Sequence, residues 1–211
     1  MRGATWLALG LGGALTLAAP RARAQSLDQA GMERARDDYF SSERTLGLSG
    51  MLAGAASIGG AAALYFQDDE FMKGAAYPLA GFGLLELAAG GVVFFRTPGQ
   101  LRQLESDMAR DPTKMKTDEL DRMKRVNAQF DVLTVVWIVG LAAGAGTLAY
   151  GFIDDSPRTK GIGAGVMLES ALLLTGDRIA AGNAEDYTHA LERFQPSATT
   201  GGGLIRVHGS F

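Results

Sequence analysis

Four apolar stretches dominate the chain, at residues 45–66, 74–95, 132–153 and 161–176. They are separated alternately by short acidic turns and by longer amphipathic segments. The first and third contain no Asp, Glu, Lys or Arg, the second contains only Glu86, and the fourth only Glu169. A helix of about 20 apolar residues crosses the ~30 Å hydrocarbon layer with every backbone group paired inside the segment. The pattern predicts an all-α integral membrane protein with four transmembrane helices in two hairpins, joined and flanked by amphipathic surface helices.

The same pattern divides the chain. Residues 1–24 read as a secretory signal peptide: Arg2 opens it, an apolar run of about 14 residues follows, and Ala22-Arg23-Ala24 offers a small-x-small cleavage site. A polar lead-in helix follows at 25–44, with Ser26 and Gln29 placed as a capping box. Hairpin 1 takes 45–95 and a helical connector 96–130, which Asp111-Pro112 interrupts because the residue before proline avoids helical angles. Hairpin 2 takes 131–178, an amphipathic helix 179–195, and a flexible Ser/Thr/Gly-rich tail 196–211. Thr97-Pro98 and Asn183 are positioned as caps that would start the surface helices afresh. The connector's apolar face, Leu120, Met123, Val126 and Phe130, is expected against the membrane surface or a neighbouring helix. The parts outside the membrane are helices and tails, too small for a core of their own.

The hairpins resemble each other. Each turn reads Asp-Asp, a few residues, then Lys-Gly: Asp68-Asp69 to Lys73-Gly74, and Asp154-Asp155 to Lys160-Gly161. Each second helix then carries one glutamate, and an amphipathic segment follows, which suggests a duplicated unit. Small residues four apart, Gly50/Gly54 and Gly140/Gly144, let helix backbones approach closely in lipid, within one chain or between copies.

Charge and composition narrow the function. Cleavage removes Arg2, Arg21 and Arg23 and no acid, so the net charge of −3 becomes −6. An acidic chain without a Lys/Arg face is a poor nucleic-acid partner. The absence of cysteine excludes disulfides, thiolate nucleophiles and Cys-ligated metals. His189 and His208 stand in a surface helix and in the tail with no partner at catalytic or metal spacing. Neither a Walker-type nor a dinucleotide-binding glycine motif occurs. No cofactor, metal site or catalytic residue is therefore expected.

The chemical candidates are Glu86 and Glu169, since an ionisable group at membrane depth normally faces the bundle interior and marks an ion or proton site. Glycine-rich hairpins with one carboxylate in the second helix resemble, in architecture alone, the proteolipid rings of rotary ATPases. The turns here depart from that family's basic-polar-proline loop, and the surface helices lie outside its pattern.

The expectation is a non-enzymatic membrane scaffold or assembly component of the cell envelope, with the lipid bilayer and a second copy or another envelope protein as partners. The alternative is a small proton or cation conductor using Glu86 and Glu169. Signal cleavage puts the new N-terminus outside a bacterial inner membrane, in the periplasm. The Lys/Arg excess of the connector points the opposite way, a conflict that an outer-membrane destination would remove.

Overall fold

The computed structural model describes residues 26–196, so the export signal and the tail after Pro196 lie outside the described residues. Four helices account for nearly all of it: α1 (Gln29–Tyr65), α2 (Glu70–Arg110), α3 (Pro112–Ile153) and α4 (Pro157–Arg193). They contain 37, 41, 42 and 37 residues. At a rise of 1.5 Å per residue these are rods of roughly 55–63 Å, about twice the hydrocarbon thickness of a bilayer.

That length corrects the expected segmentation. The lead-in and surface helices are not separate elements; each is continuous with the apolar stretch beside it. Asp28, not Ser26, caps α1 by accepting from the Gly31 amide at 2.8 Å. Pro98 lies inside α2 and starts nothing: the buried Thr97 hydroxyl donates back to the Val93 carbonyl at 2.7 Å, within the helix. Asn183 likewise reaches sideways, donating to Ser42 Oγ of α1 at 2.6 Å. Only Asp111-Pro112 acts as a true break. Asp111 ends α2 and caps α3, accepting from the Thr113 and Lys114 amides at 3.1 and 2.9 Å.

The helices form two hairpins, α1 with α2 and α3 with α4, joined through a central α2–α4 contact. The backbones of α1 and α3 do not meet. Both acidic turns lie at one end, where Arg158 Nη2 approaches Glu70 Oε2 at 2.7 Å. At the other end lies the Asp111 joint, together with both chain ends of the described region. There Leu27 and Phe194 form an isolated parallel bridge, with Leu27 N to Arg193 O at 2.9 Å and Gln195 N to Leu27 O at 3.1 Å.

Each rod has two halves of different construction. Toward the turns, large apolar side chains point outward, among them Leu52, Leu84, Val92, Val136 and Ile138. Exposed Tyr65, Phe66, Tyr77, Tyr150 and Phe152 stand near the turn end, where aromatic belts occur in membrane proteins. α1, α2 and α3 are long and apolar enough to cross a membrane. The apolar stretch of α4 is shorter, is diluted by Gly161, Gly163 and Gly165, and runs into Asp177-Arg178.

The other half is a head with an apolar core of large side chains: Met32, Tyr39, Phe40, Leu104, Met108, Met115, Met123, Tyr187, Leu191 and Phe194 are buried together. The expectation that no extramembrane segment has a core is corrected by assembly. Four thin stripes, each inadequate alone, converge from four helices. The connector face is part of it, with Met123 fully buried and Leu120, Val126 and Phe130 packed around.

Candidate functional site

The interior of the turn-side half is made of backbone. A Cβ added at Gly54 would lie 2.5 Å from the Gly83 carbonyl oxygen and 2.5 Å from the Leu87 amide nitrogen. Gly90 sits as closely on Gly47 and Met51, 2.6 Å from each. The α1–α2 crossing thus runs on Gly47 and Gly54 against Gly90 and Gly83, a spacing of seven on both helices. Two helical turns of near-parallel packing produce that repeat. In the second hairpin Gly144 packs on Met167 and Gly163.

Of the glycines singled out by spacing of four, Gly54 and Gly144 are at backbone contacts. Gly140 faces the Ser170 side chain, and Gly50 makes only an ordinary 3.5 Å approach to Gly90. Where α2 meets α4, Gly74 lies on the Arg158 carbonyl and Gly161 on the Phe71 carbonyl, a reciprocal arrangement. Gly165 makes room for the Pro78 ring.

Glu86 and Glu169 project from the two central helices into this interior. They are 9% and 1% exposed. Ser57 of α1 donates to Glu169 Oε1 of α4 at 3.0 Å, which ties an outer helix to a central one. Glu86 Oε2 and Glu169 Oε2 are buried with no hydrogen-bond partner. Two carboxyls with open oxygens, next to a hydroxyl, can share or exchange a proton or hold a small cation.

Beside Glu86 the four helices part to leave a cavity of about 470 Å³. Leu46, Ala53, Ala89, Val93, Leu133 and Leu172 supply much of its apolar wall. Its polar groups are mostly engaged: Arg96 pairs with Glu43 at 3.1 Å, and Trp137 Nε1 donates to Asp177 Oδ2 at 2.5 Å. Pattern reading missed Ser57, the Trp137–Asp177 pair and the cavity. The one available signal was that Ser49 and Ser57 are the two serines of a largely apolar first stretch.

The turn aspartates have structural work. Asp69 caps α2, accepting from the Phe71 and Met72 amides at 2.8 and 3.1 Å. Asp155, the non-glycine residue with positive φ (47°), pairs with Lys160 at 2.9 Å. The Lys160 hydrogen bond holds its carboxyl below the usual aspartate range. Glu70 is held low in the same way, by Lys73 and then by Arg158. His189 lies exposed between Glu185 and Glu192, while His208 falls outside the described residues. Among the described residues no His, Cys, Asp and Glu group has the arrangement of a metal site.

In the head, Tyr39 and Tyr187 stack with centroids 4.5 Å apart and planes 6° from parallel. Arg122 lies over the Tyr39 and Phe40 rings and grips Glu119 with two 2.7 Å hydrogen bonds. Burial, followed by the Glu43 charge, pushes the Tyr39 hydroxyl up to about 12. Burial raises Tyr187 as well.

No protein family model, no curated protein and no solved structure matches this chain.

Proposed function

We propose that this is a non-enzymatic integral membrane protein of the cell envelope that acts as a scaffold or assembly component. The observation that supports this is the continuity of the helices. All four run unbroken from the glycine-packed half into the head, so the head is held by stiff rods rather than by linkers. In this reading α4 crosses the bilayer with the other three, its glutamate and glycines shielded by α1, α2 and α3. Signal cleavage before Gln25 would put the head in the periplasm, on the outer face of a bacterial inner membrane. A rigid head of this kind suits presentation of a surface to another envelope protein or to a second copy.

The convergence of Glu86, Glu169 and Ser57 favours a second reading, conduction or relay of protons or cations. One experiment separates the two. The full chain is reconstituted into liposomes, and proton and monovalent cation flux is measured for wild type and for the double variant Glu86→Gln, Glu169→Gln. The scaffold reading expects no flux above that of empty liposomes. Flux in wild type that disappears in the double variant would replace it with the conduction reading.

A further inference from the structure

We propose that the cavity between the four helices binds a hydrophobic organic monocation, neutralised by Glu86. This goes beyond the scaffold reading and does not rest on it.

The volume, about 470 Å³, lies within the roughly 300–1,000 Å³ of small-molecule pockets. Such pockets are mainly apolar with a few placed polar groups, as this one is. The sign of the ligand follows from charge. The ionisable side chains on the wall include Glu43, Glu86, Asp177 and Arg96. Arg96 is engaged by Glu43, and Asp177 accepts from Trp137. Glu86 alone of these four has no hydrogen bond on either oxygen; its Oε2 is buried and unpartnered, as is Oε2 of Glu43, whose other oxygen holds Arg96.

A buried carboxylate oxygen without a donor has an unmet electrostatic demand, which a cation brought to it satisfies. An inorganic divalent ion is a poor match, because it requires six or more oxygen ligands and the wall beside Glu86 is largely alkyl. A cation with an apolar body matches both features. Its body displaces nothing polar from Leu46, Val93, Leu133 and Leu172, and its charge meets one carboxylate.

The test uses the full chain in nanodiscs of zwitterionic phosphatidylcholine, with tetraphenylphosphonium as probe and tetraphenylborate as the anion of the same shape. Equilibrium binding is corrected with empty nanodiscs. The expected result is saturable binding of one tetraphenylphosphonium per chain, at least tenfold weaker in Glu86→Gln, with no saturable binding of tetraphenylborate. Ala89→Phe, which fills the cavity and leaves Glu86 in place, should also remove binding; this variant decides the matter if Glu86→Gln fails to fold. Any of four results overturns the proposal: no saturable binding of the cation, equal binding of the anion, wild-type affinity in Glu86→Gln, or wild-type affinity in Ala89→Phe. Mass spectrometry of the purified chain supplies a fifth: a tightly retained phospholipid that the cation does not displace would make the cavity a lipid site.

Discussion

The two halves of each helix obey opposite packing rules. In the head, large side chains are inside: Phe40 of α1 is 2% exposed and Leu191 of α4 is 0% exposed. Twelve residues further along α1, Leu52 is 64% exposed while Gly47 and Gly54 hold the contact with α2. In water, burial of apolar area drives association, so bulky residues turn inward. In lipid that drive is absent, and helices associate by close backbone approach, which small residues permit. One continuous helix satisfies both rules because the residue pattern changes partway along it.

Exchanging glycine for a bulky residue at a backbone contact is the largest perturbation. Gly54→Leu places a side chain where 2.5 Å separates a Cβ from the Gly83 carbonyl oxygen. Its cost is expected at about 3 kcal/mol or more, enough to separate α1 from α2. Gly59 has nothing within 4 Å of an added Cβ, and Gly59→Leu should be nearly silent. Thermal unfolding of both variants in detergent checks the pair; equal losses would mean that α1 and α2 do not cross on Gly54.

The converse holds in the head. Leu191→Ala empties a fully buried position and should cost about 2–5 kcal/mol. Ile138→Ala, at a residue 53% exposed on the outward face of α3, should change stability in detergent by no more than about 0.5 kcal/mol. The same unfolding measurement ranks them, and a reversed order would place the core at the other end of the rods.

Alkaline pH should loosen the head selectively. The folded state favours neutral Tyr39, whose hydroxyl is pushed up to about 12 from the ordinary value of 10.0. The associated stability is intact below pH 10 and is lost as pH rises to about 12, because the unfolded chain gives up the proton first. The loss is roughly 2–3 kcal/mol and should shrink in Tyr39→Phe. Phenolate absorbance against pH in the two proteins measures it; a Tyr39 contribution titrating near pH 10 would contradict the buried stack with Tyr187.

The smallest effect belongs to the glutamate site. Ser57→Ala removes the one hydrogen bond seen to Glu169 and should cost about 0.6 kcal/mol, the usual scale of an interhelical bond in lipid. Amide exchange at the α1–α4 contact would register it as local loosening without loss of the head.

The sequence by itself determined that the chain is helical and where it reverses; of the four helices it assigned to the membrane, three are long and apolar enough to cross one. Those features are local: apolar run length, capping by Asp69, Asp111 and Ser156, and a proline behind Asp111 act over a few residues. It also marked Glu86 and Glu169, because a charge in an apolar run stands out in one dimension. Continuity through Pro98 was not legible from Thr97-Pro98, since the helix there is held by packing on both sides. Nor was the head core, which exists only when stripes from four helices meet. The seven-residue glycine spacing, Ser57 as the partner of Glu169, and the cavity beside Glu86 depended on which helices are neighbours. That choice is nonlocal: α2 and α4 became central and α1 and α3 were left apart because the closest backbone approaches, at Gly74 and Gly161, lie on the α2–α4 face.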